Sequence, residues 1–512
     1  MATMTAADLL ASDFATVPDL IRAHAIERGD KSALADDATT MTYTALDATM
    51  DRIAAALQRD GVRQGQAVAI LAYPSVAYAA LFLGIVRAGA ITTPIAPSST
   101  PAAIAAMIAD SGAPITFVDH ANAAALDGQS LAGRIISIAD ELEAWLAPAG
   151  TSPAPVDIPR EQGFNIIYSS GTTGTPKGIV QSHAMRWQHV GRGGASGFDT
   201  AVTMLATPLY SNTTLVSFLP TLAWGGTAVI MAKFDARRYC ELAERHRATH
   251  TMLVPVQYQR IMALPDFDSF DLSDYRLKTC TSAPFAAALK ADIVARWPGL
   301  LIEYYGMSEG GGTCILNCNA HPDKLHTVGP PAPGHDIRLI DDDGNEVAQG
   351  ETGEVVGRSP AMMTGYHGRA EATRDAEWYS PEGDRFIRHG DVGRFDAEGF
   401  LTLMDRKKDM IISGGFNIYP VDLEAVLRRH PAVADCTVVA APSEAWGETP
   451  VGFYVPRDDV MEGPPDIMAW TNAQLGKTQR LSALHPIDEL PRSAIGKVLK
   501  RELRDRLTGA AA

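Results

Sequence analysis

The segment Tyr168-Ser-Ser-Gly-Thr-Thr-Gly-Thr-Pro-Lys-Gly178 gathers glycine, hydroxyl and ammonium groups at the end of a strand-like run, Phe164 to Tyr168. Gly171, Gly174 and Gly178 permit a backbone that wraps closely with its amides inward. The five hydroxyls of Ser169, Ser170, Thr172, Thr173 and Thr175, with the Lys177 ammonium, complete a cradle for an anion. It is not a Walker A loop, which needs four residues between its glycine and its Gly-Lys and a hydroxyl after the lysine. A second constellation, Cys314, Cys318 and His321, has C-x3-C-x2-H spacing. No further ligand pair follows at zinc-site spacing, so these are read as ordinary core residues.

The elements around the loop alternate. Asp47 to Gln58 has helical spacing, Ala67 to Ala72 reads as strand, Leu81 to Arg87 as helix and Ile91 to Ile95 as strand. Further strands are expected at Ile115 to Val118 and near Ile135 to Ile138. Such alternation predicts α/β layers with a largely parallel sheet. A Pro-rich connection, Ala147 to Pro159, reads as a surface segment and a possible subdomain border. Strand-and-turn patterns at Ile337 to Ile340, Gly353 to Gly357 and Phe400 to Met404 precede the charge run Asp405-Arg-Lys-Lys-Asp409. That run is read as the junction between a large and a small domain: 1–404, a hinge at 405–409, and 410–512.

With 512 residues the chain exceeds what one core fills, so more than one domain is expected. The formal charge of -16 disfavours nucleic acid and anionic membranes as partners. Any anionic ligand must then enter a locally basic or amide-lined pocket. Five scattered cysteines suit a reducing compartment. The N-terminus lacks the pattern of a signal peptide, and the apolar stretch Val76 to Ile95 is interrupted by Arg87, Gly84, Gly89 and Pro94. A cytoplasmic protein without membrane insertion is expected.

The loop, together with Ser282-Ala-Pro284, Glu303-Tyr-Tyr-Gly-Met-Ser-Glu309, His389-Gly-Asp391, Asp405-Arg-Lys-Lys408 and Leu490-Pro-Arg-Ser-Ala-Ile-Gly-Lys497, resembles the acyl-adenylate-forming (AMP-binding) superfamily. The likeness runs in order from about Thr42 to Lys497 and is strongest toward acyl-CoA synthetases and fatty-acid or aryl (4-coumarate/feruloyl-type) CoA ligases. It implies a large N-terminal domain of layered α/β sheets and a small mobile α+β C-terminal domain. It implies ATP, Mg²⁺ and coenzyme A as reactants or cofactors, a small carboxylic acid as substrate and, by analogy, a homodimer.

By the same resemblance, Thr172, Thr173, Gly174, Thr175 and Lys177 hold the phosphates, and Tyr305 stacks on adenine. Ser282, Ala283 and Pro284 form the opposite wall of that slot, completed by Glu303, Tyr304 and Gly306. Ser308 donates to the α-phosphate; Glu309, with Thr172, holds Mg²⁺. Asp391 takes the ribose hydroxyls, a bidentate role suited to a carboxylate, and Arg406 reaches the nucleotide. Lys497 bridges the substrate carboxylate and the α-phosphate, Lys408 is the hinge, and Gly414, Gly415 and Phe416 line a pantetheine tunnel. Here Ser308 stands where the family usually has Thr, and His389 where it usually has Thr.

The acyl pocket is assigned to Tyr210, Ser211, Tyr304, Gly306, Gly310 and Gly311. Gly306 replaces the tryptophan of acetate-type members and Tyr304 the arginine of malonate-type members, so a longer or broader acid is expected: medium-chain fatty, or aryl such as a hydroxycinnamate. Ser211 replaces a histidine that often gates the pocket. The rival readings are a stand-alone domain loading a carrier protein, disfavoured because no carrier-like module follows Leu507, an acyl-AMP ligase or luciferase-type oxygenase, and a nucleotide-binding regulator without turnover.

Overall fold

The computed structural model describes residues 4–169, 177–191, 193–406, 409–413, 416–443, 446–457, 463–476, 479–493 and 496–507, with backbone only at Ser169, Asp405, Arg406, Phe416 and Asn417. The chain divides into two units. The first comprises Met1–Leu325, Ala332–Asp336 and Arg358–Ile387; the second comprises His326–Pro331, Ile337–Gly357 and Arg388–Ala512.

Two large sheets organise the first unit. In one, strands Ser32–Ala35, Thr227–Ile230, Val202–Leu205, His250–Leu253, Leu277–Cys280 and Leu300–Gly306 run parallel, and antiparallel strands Thr40–Thr42 and Thr313–Asn317 close its edges. In the other, Gly163–Ser169, Ile91–Ile95, Ala67–Leu71, Ile115–Val118 and Arg134–Ser137 run parallel. Lys177–Ser182 and Gly365–Tyr366 then extend this sheet antiparallel. In strands such as Ala67–Leu71, Ile115–Val118, Thr227–Ile230 and His250–Leu253 successive residues are all buried, so both faces of each sheet are covered there. The fold is α/β, as the alternation of helical and strand patterns predicts.

Helix Tyr43–Arg59 starts four residues before the helical spacing becomes visible at Asp47, because the Thr42 side chain caps it by accepting from the Ala45 amide. Its buried face is Leu46, Met50, Ile53, Ala54 and Leu57. The next helix, Val76–Arg87, is buried on every side. Arg87 ends it inside the protein, 2.6 Å from Asp47 and 3.0 Å from Asp51, so its charge is matched by two carboxylates of the preceding helix. No helix among the described residues is long and apolar enough to cross a membrane. The Pro-rich segment 147–159 lies within the first unit, where Ala154 exchanges two hydrogen bonds with the Gln58 side chain at 3.0 and 2.8 Å.

The second unit is α+β. Strands Val433–Ser443 and Gly447–Pro456 form a long antiparallel ladder, with Ile411–Ser413, Phe416–Ile418 and Ala483–Pro486 alongside. Successive residues of the first of these strands serve two cores. Val438 packs with Ile411, Leu423, Leu427 and Ile467, while Val439 faces Val451, Phe453, Leu490 and Leu503. Strand Leu401–Arg406 pairs with Arg385–Phe395 and sets Asp391 opposite Arg406. The charge run therefore begins inside a strand: the ladder continues through Asp405 and Arg406, where charge alone suggests a break.

Candidate active site

The phosphate loop is the connection of a hairpin. Tyr168 pairs with Gly178 and Ser169 with Lys177, so the intervening residues span two adjacent strands. Thr172, Thr173, Gly174 and Thr175 lie outside the described residues, as do Lys408, Gly414 and Gly415. Gly178 meets a packing demand at the hairpin's base: a Cβ there would lie 2.8 Å from Ile166 Cγ2 and 3.1 Å from the Tyr168 ring. The Tyr168 hydroxyl donates to Asp110 at 2.7 Å, and Arg369 donates to the other oxygen of Asp110 at 3.2 Å.

The turn after strand Leu300–Gly306 carries Ser308 and Glu309, both half-buried. The Tyr366 hydroxyl donates to Glu309 Oε1 at 2.9 Å, and the Lys177 ammonium sits 5.2 Å from the centre of the same ring. Burial and the Glu309 carboxylate together push the Tyr366 hydroxyl's pKa up, so it stays protonated as a donor. The turn's backbone is also fixed: Glu309 O accepts from the Met363 amide at 2.8 Å and Gly310 O from the Ser359 hydroxyl at 2.7 Å.

Gly310 requires a correction. It is expected to leave room for an acyl group, but a Cβ on it would fall 1.8 Å from the Ala361 carbonyl oxygen, and its φ is +76°. The backbone of Ala361 already fills that space, and the conformation admits glycine alone. Glu303 differs as well. Its side chain is buried and ion-paired with Lys290, whose ammonium also donates to Leu325 O at 2.8 Å. Burial raises the Glu303 pKa against the pull of Lys290. What Glu303 can present to a nucleotide is therefore backbone; its carboxylate locks the strand to helix Ala287–Arg296. Tyr304 is half-buried, Tyr305 is 9% exposed and Gly306 is exposed.

Ser282 holds a left-handed backbone, φ +83°, rare for a residue with a side chain. Its hydroxyl lies 2.6 Å from that of Thr213, which tethers the Ser282-Ala-Pro284 wall to helix Asn212–Ala223. Ser211 begins that helix: its hydroxyl accepts from the Thr213 amide at 3.3 Å, and the residue is 8% exposed. Its serine thus has a structural reason as an N-cap, apart from any gating role. Tyr210 is half-buried, and its pKa is raised by burial, partly offset by a hydrogen bond from Ser98.

Beneath Ser308 lies a polar network that no motif announces. Arg186 is 1% exposed and donates to Asn165 Oδ1 at 3.0 and 2.8 Å, to Asn212 Oδ1 at 2.8 Å, and to Gln181 Oε1. Gln181 in turn donates to Ser308 O at 2.7 Å. The network ties two strands and two helices to the turn that presents Ser308 and Glu309. Burial draws the Arg186 pKa down to about 9.

In the second unit, Asp391 is half-buried on its strand, and Arg406 ends the neighbouring one. Lys497 is exposed on a tight turn in which Ser493 N donates to Lys497 O at 2.8 Å and Lys497 N to Ser493 Oγ at 3.2 Å. Arg492 braces that turn, donating to Gly496 O at 2.7 Å and to Asp435 at 2.5 Å. The five cysteines are buried and free, and burial pushes the Cys318 thiol up to about 12. Cys314 and Cys318 are thus core thiols, poorly disposed to ionise and ligate.

Glu309 offers one half-buried carboxylate next to Ser308, the kind of single protein ligand with which Mg²⁺ is held when substrate phosphates and water complete its shell; among the described residues no group of three potential ligands gathers.

Residues 21–367 match the family model described as AMP-binding enzyme, and residues 422–497 match that of the AMP-binding enzyme C-terminal domain. A feruloyl-CoA synthase from Amycolatopsis sp is 33% identical over 93% of this chain and 96% of its own length. A long-chain-fatty-acid–CoA ligase from Mycobacterium tuberculosis is 30% identical over 91% of this chain and 93% of its own. Among solved structures, an anthranilate CoA ligase in complex with anthranoyl-AMP superposes with a TM-score of 0.86, at 24% identity, over 99% of this chain and 100% of the other, a likeness of fold.

Proposed function

The chain belongs to the AMP-binding enzyme family, and from that premise we propose that it is an AMP-forming acid–thiol ligase acting on an aryl or medium-chain fatty acid with coenzyme A as acceptor. The observation that carries the reading is the convergence of Lys177 and Glu309 on Tyr366, beside Ser308.

A carboxylate is a poor electrophile, because its charge is delocalised and its leaving group would be oxide. In the first step a carboxylate oxygen bonds to the α-phosphorus of ATP while the bond to the bridging β-phosphate oxygen breaks, releasing pyrophosphate. Both partners are anionic, so the site must neutralise charge and hold them in line. Lys177 and the loop hydroxyls bind the outer phosphates, Ser308 donates to the α-phosphate, and Glu309, with Thr172, would hold Mg²⁺. Mg²⁺, when bound, supplies positive charge to the phosphate oxygens. Tyr305 and the Ser282-Ala-Pro284 wall enclose adenine, Asp391 takes the ribose and Arg406 reaches the nucleotide.

Lys497 contacts the carboxylate and α-phosphate in this step. In the second, the thiol sulfur bonds to the acyl carbon, AMP leaves with the former carboxylate oxygen, and the thiol proton passes to solvent. Rotation of the C-terminal domain about 405–409, with Lys408 as pivot, withdraws Lys497 and brings Gly414, Gly415 and Phe416 to the pantetheine. Tyr304 and Tyr210 supply aromatic wall for the acid. The aryl option draws support from the feruloyl-CoA synthase relative and the fatty option from the long-chain-fatty-acid–CoA ligase relative. We read it further as a cytoplasmic enzyme, and as a homodimer by analogy with such families alone.

Protein, ATP and Mg²⁺ are mixed with a panel of acids, with and without coenzyme A, and AMP, pyrophosphate and thioester are followed. AMP and thioester appearing together for hydroxycinnamates or medium-chain acids support the proposal. ADP in place of AMP refutes the mechanism, acyl transfer to an added carrier protein but not to coenzyme A reassigns the acceptor, and no turnover with any acid points to a nucleotide-binding regulator.

A further inference from the structure

Tyr366 lies outside every motif discussed so far, yet it touches two of them. Strand Gly365–Tyr366 pairs antiparallel with Lys177–Ser182, setting Tyr366 opposite Ile179, two residues past the loop lysine. Its amide donates to Thr373 Oγ1 at 2.9 Å, and the next amide, of His367, donates to Gly178 O at 2.7 Å. The ring packs partly buried beside Ile179, Met363 and Ile387. From this anchored position the hydroxyl reaches Glu309 Oε1 at 2.9 Å, and the ring face lies 5.2 Å from the Lys177 ammonium. Three residues on, Arg369 holds Asp110, which holds Tyr168 at the start of the same loop.

We propose that Tyr366 is a positioning residue that fixes the Glu309 carboxylate and the Lys177 ammonium relative to one another before nucleotide arrives. The proposal rests on the roles assigned above to Glu309 and Lys177. Lysine and carboxylate carry opposite charges and would otherwise be free to pair directly, which would occupy the carboxylate oxygens a cation needs. A hydroxyl donor on one carboxylate oxygen leaves the other oxygen available, and a ring face holds the ammonium without consuming its donors. Hydrogen bonds to a metal-ligating carboxylate orient it, and their loss typically weakens the metal by about 10- to 100-fold.

The test is calorimetric binding of ATP, without any acid, in Mg²⁺ and in EDTA, for the wild type, Tyr366→Phe, Tyr366→Leu and Glu309→Gln. Tyr366→Phe should weaken MgATP by about tenfold and leave ATP in EDTA within about twofold. Tyr366→Leu, which also removes the ring from Lys177, should lose a further few-fold in both conditions, about what a cation–π contact supplies. In a Glu309→Gln background, Tyr366→Phe should add less than about twofold, because the hydroxyl then has no carboxylate to orient. The ratio of the two conditions is an internal control, since a folding defect lowers both alike. Unchanged Mg²⁺ preference in Tyr366→Phe, or a full loss added on top of Glu309→Gln, overturns the proposal while leaving the ligase reading intact. A wild type that binds ATP no better with Mg²⁺ removes the metal role of Glu309, and this proposal with it.

Discussion

The two turns to which the proposed function assigns Glu309 and Lys497 are built in opposite ways. The Ser308–Glu309 turn is held from below by a buried guanidinium and three side-chain amides, and from the side by Tyr366 and Ser359. The Lys497 turn is exposed and held by its own short backbone bonds and one arginine. The first cannot change without loss of folding free energy, because every buried polar atom in it has been matched to a partner. The second carries its lysine at an exposed position, where substitutions usually move stability little. Stability and catalysis should therefore separate cleanly when the two are perturbed.

The sharpest contrast comes from Lys497→Ala. Adenylation should fall by about a thousandfold, as for loss of a charge-stabilising group, while the free energy of urea unfolding stays within about 0.5 kcal/mol of wild type. Thioester formation from preformed acyl-adenylate should be spared; equal loss in both half-reactions contradicts the two-position reading of the small domain. Arg186→Met tests the other turn. It strips both guanidinium donors from Asn165 Oδ1 and one each from Gln181 Oε1 and Asn212 Oδ1, which keep Asn165 Nδ2 at 2.9 Å and Gln181 Nε2 at 3.3 Å, and should cost about 1–3 kcal/mol in urea unfolding, with activity following the folded fraction. A stable, inactive Arg186→Met would mean that the guanidinium serves chemistry rather than support.

Acid should distinguish the turns too. His183 starts the helix that carries Arg186, packs edge-on against Phe164 at 5.0 Å, and is held by burial at a pKa of about 4. Its unfolded value is the ordinary 6.5, so between these values the unfolded chain binds the extra proton. The contribution of neutral His183 is present above pH 6.5 and is lost as pH falls to about 4. Urea midpoints across that window should drop by less in His183→Asn than in wild type; parallel slopes would remove His183 as the cause. The smallest effect belongs to Ser211→Ala, which forfeits one N-cap and about 1 kcal/mol. A larger loss confined to turnover would restore a gating role to this position.

The layered α/β plan was readable because helical spacing and short apolar runs alternate through the first part of the chain, and strands Ile91–Ile95 and Ile115–Val118 fall where those runs lie. Boundaries were less so. Capping by Thr42 starts a helix at Tyr43, with Tyr43 and Leu46 already in its buried stripe ahead of Asp47, and a ladder carries a strand through Asp405 and Arg406 despite their charges. Of the site, what sits within one turn could be read: Lys177, Ser308 and Glu309 announce themselves by neighbours in sequence. What is assembled from afar could not. The partners of Arg186 come from positions 165, 181 and 212, and Tyr366 reaches Glu309 across 57 residues, so local spacing holds no trace of either. Glu303 misleads for the opposite reason: it opens the motif read as nucleotide-binding, while burial against Lys290 decides where its carboxylate goes.

On the acyl pocket proposed above, the Ala361 carbonyl beneath Gly310 also bears on where an acid range could evolve. Randomising position 310 would yield a library of misfolded clones, since any added carbon collides with main chain. Position 304 is a half-buried side chain on a regular strand. Descendants with new substrates should therefore differ at the tyrosine and keep the glycine.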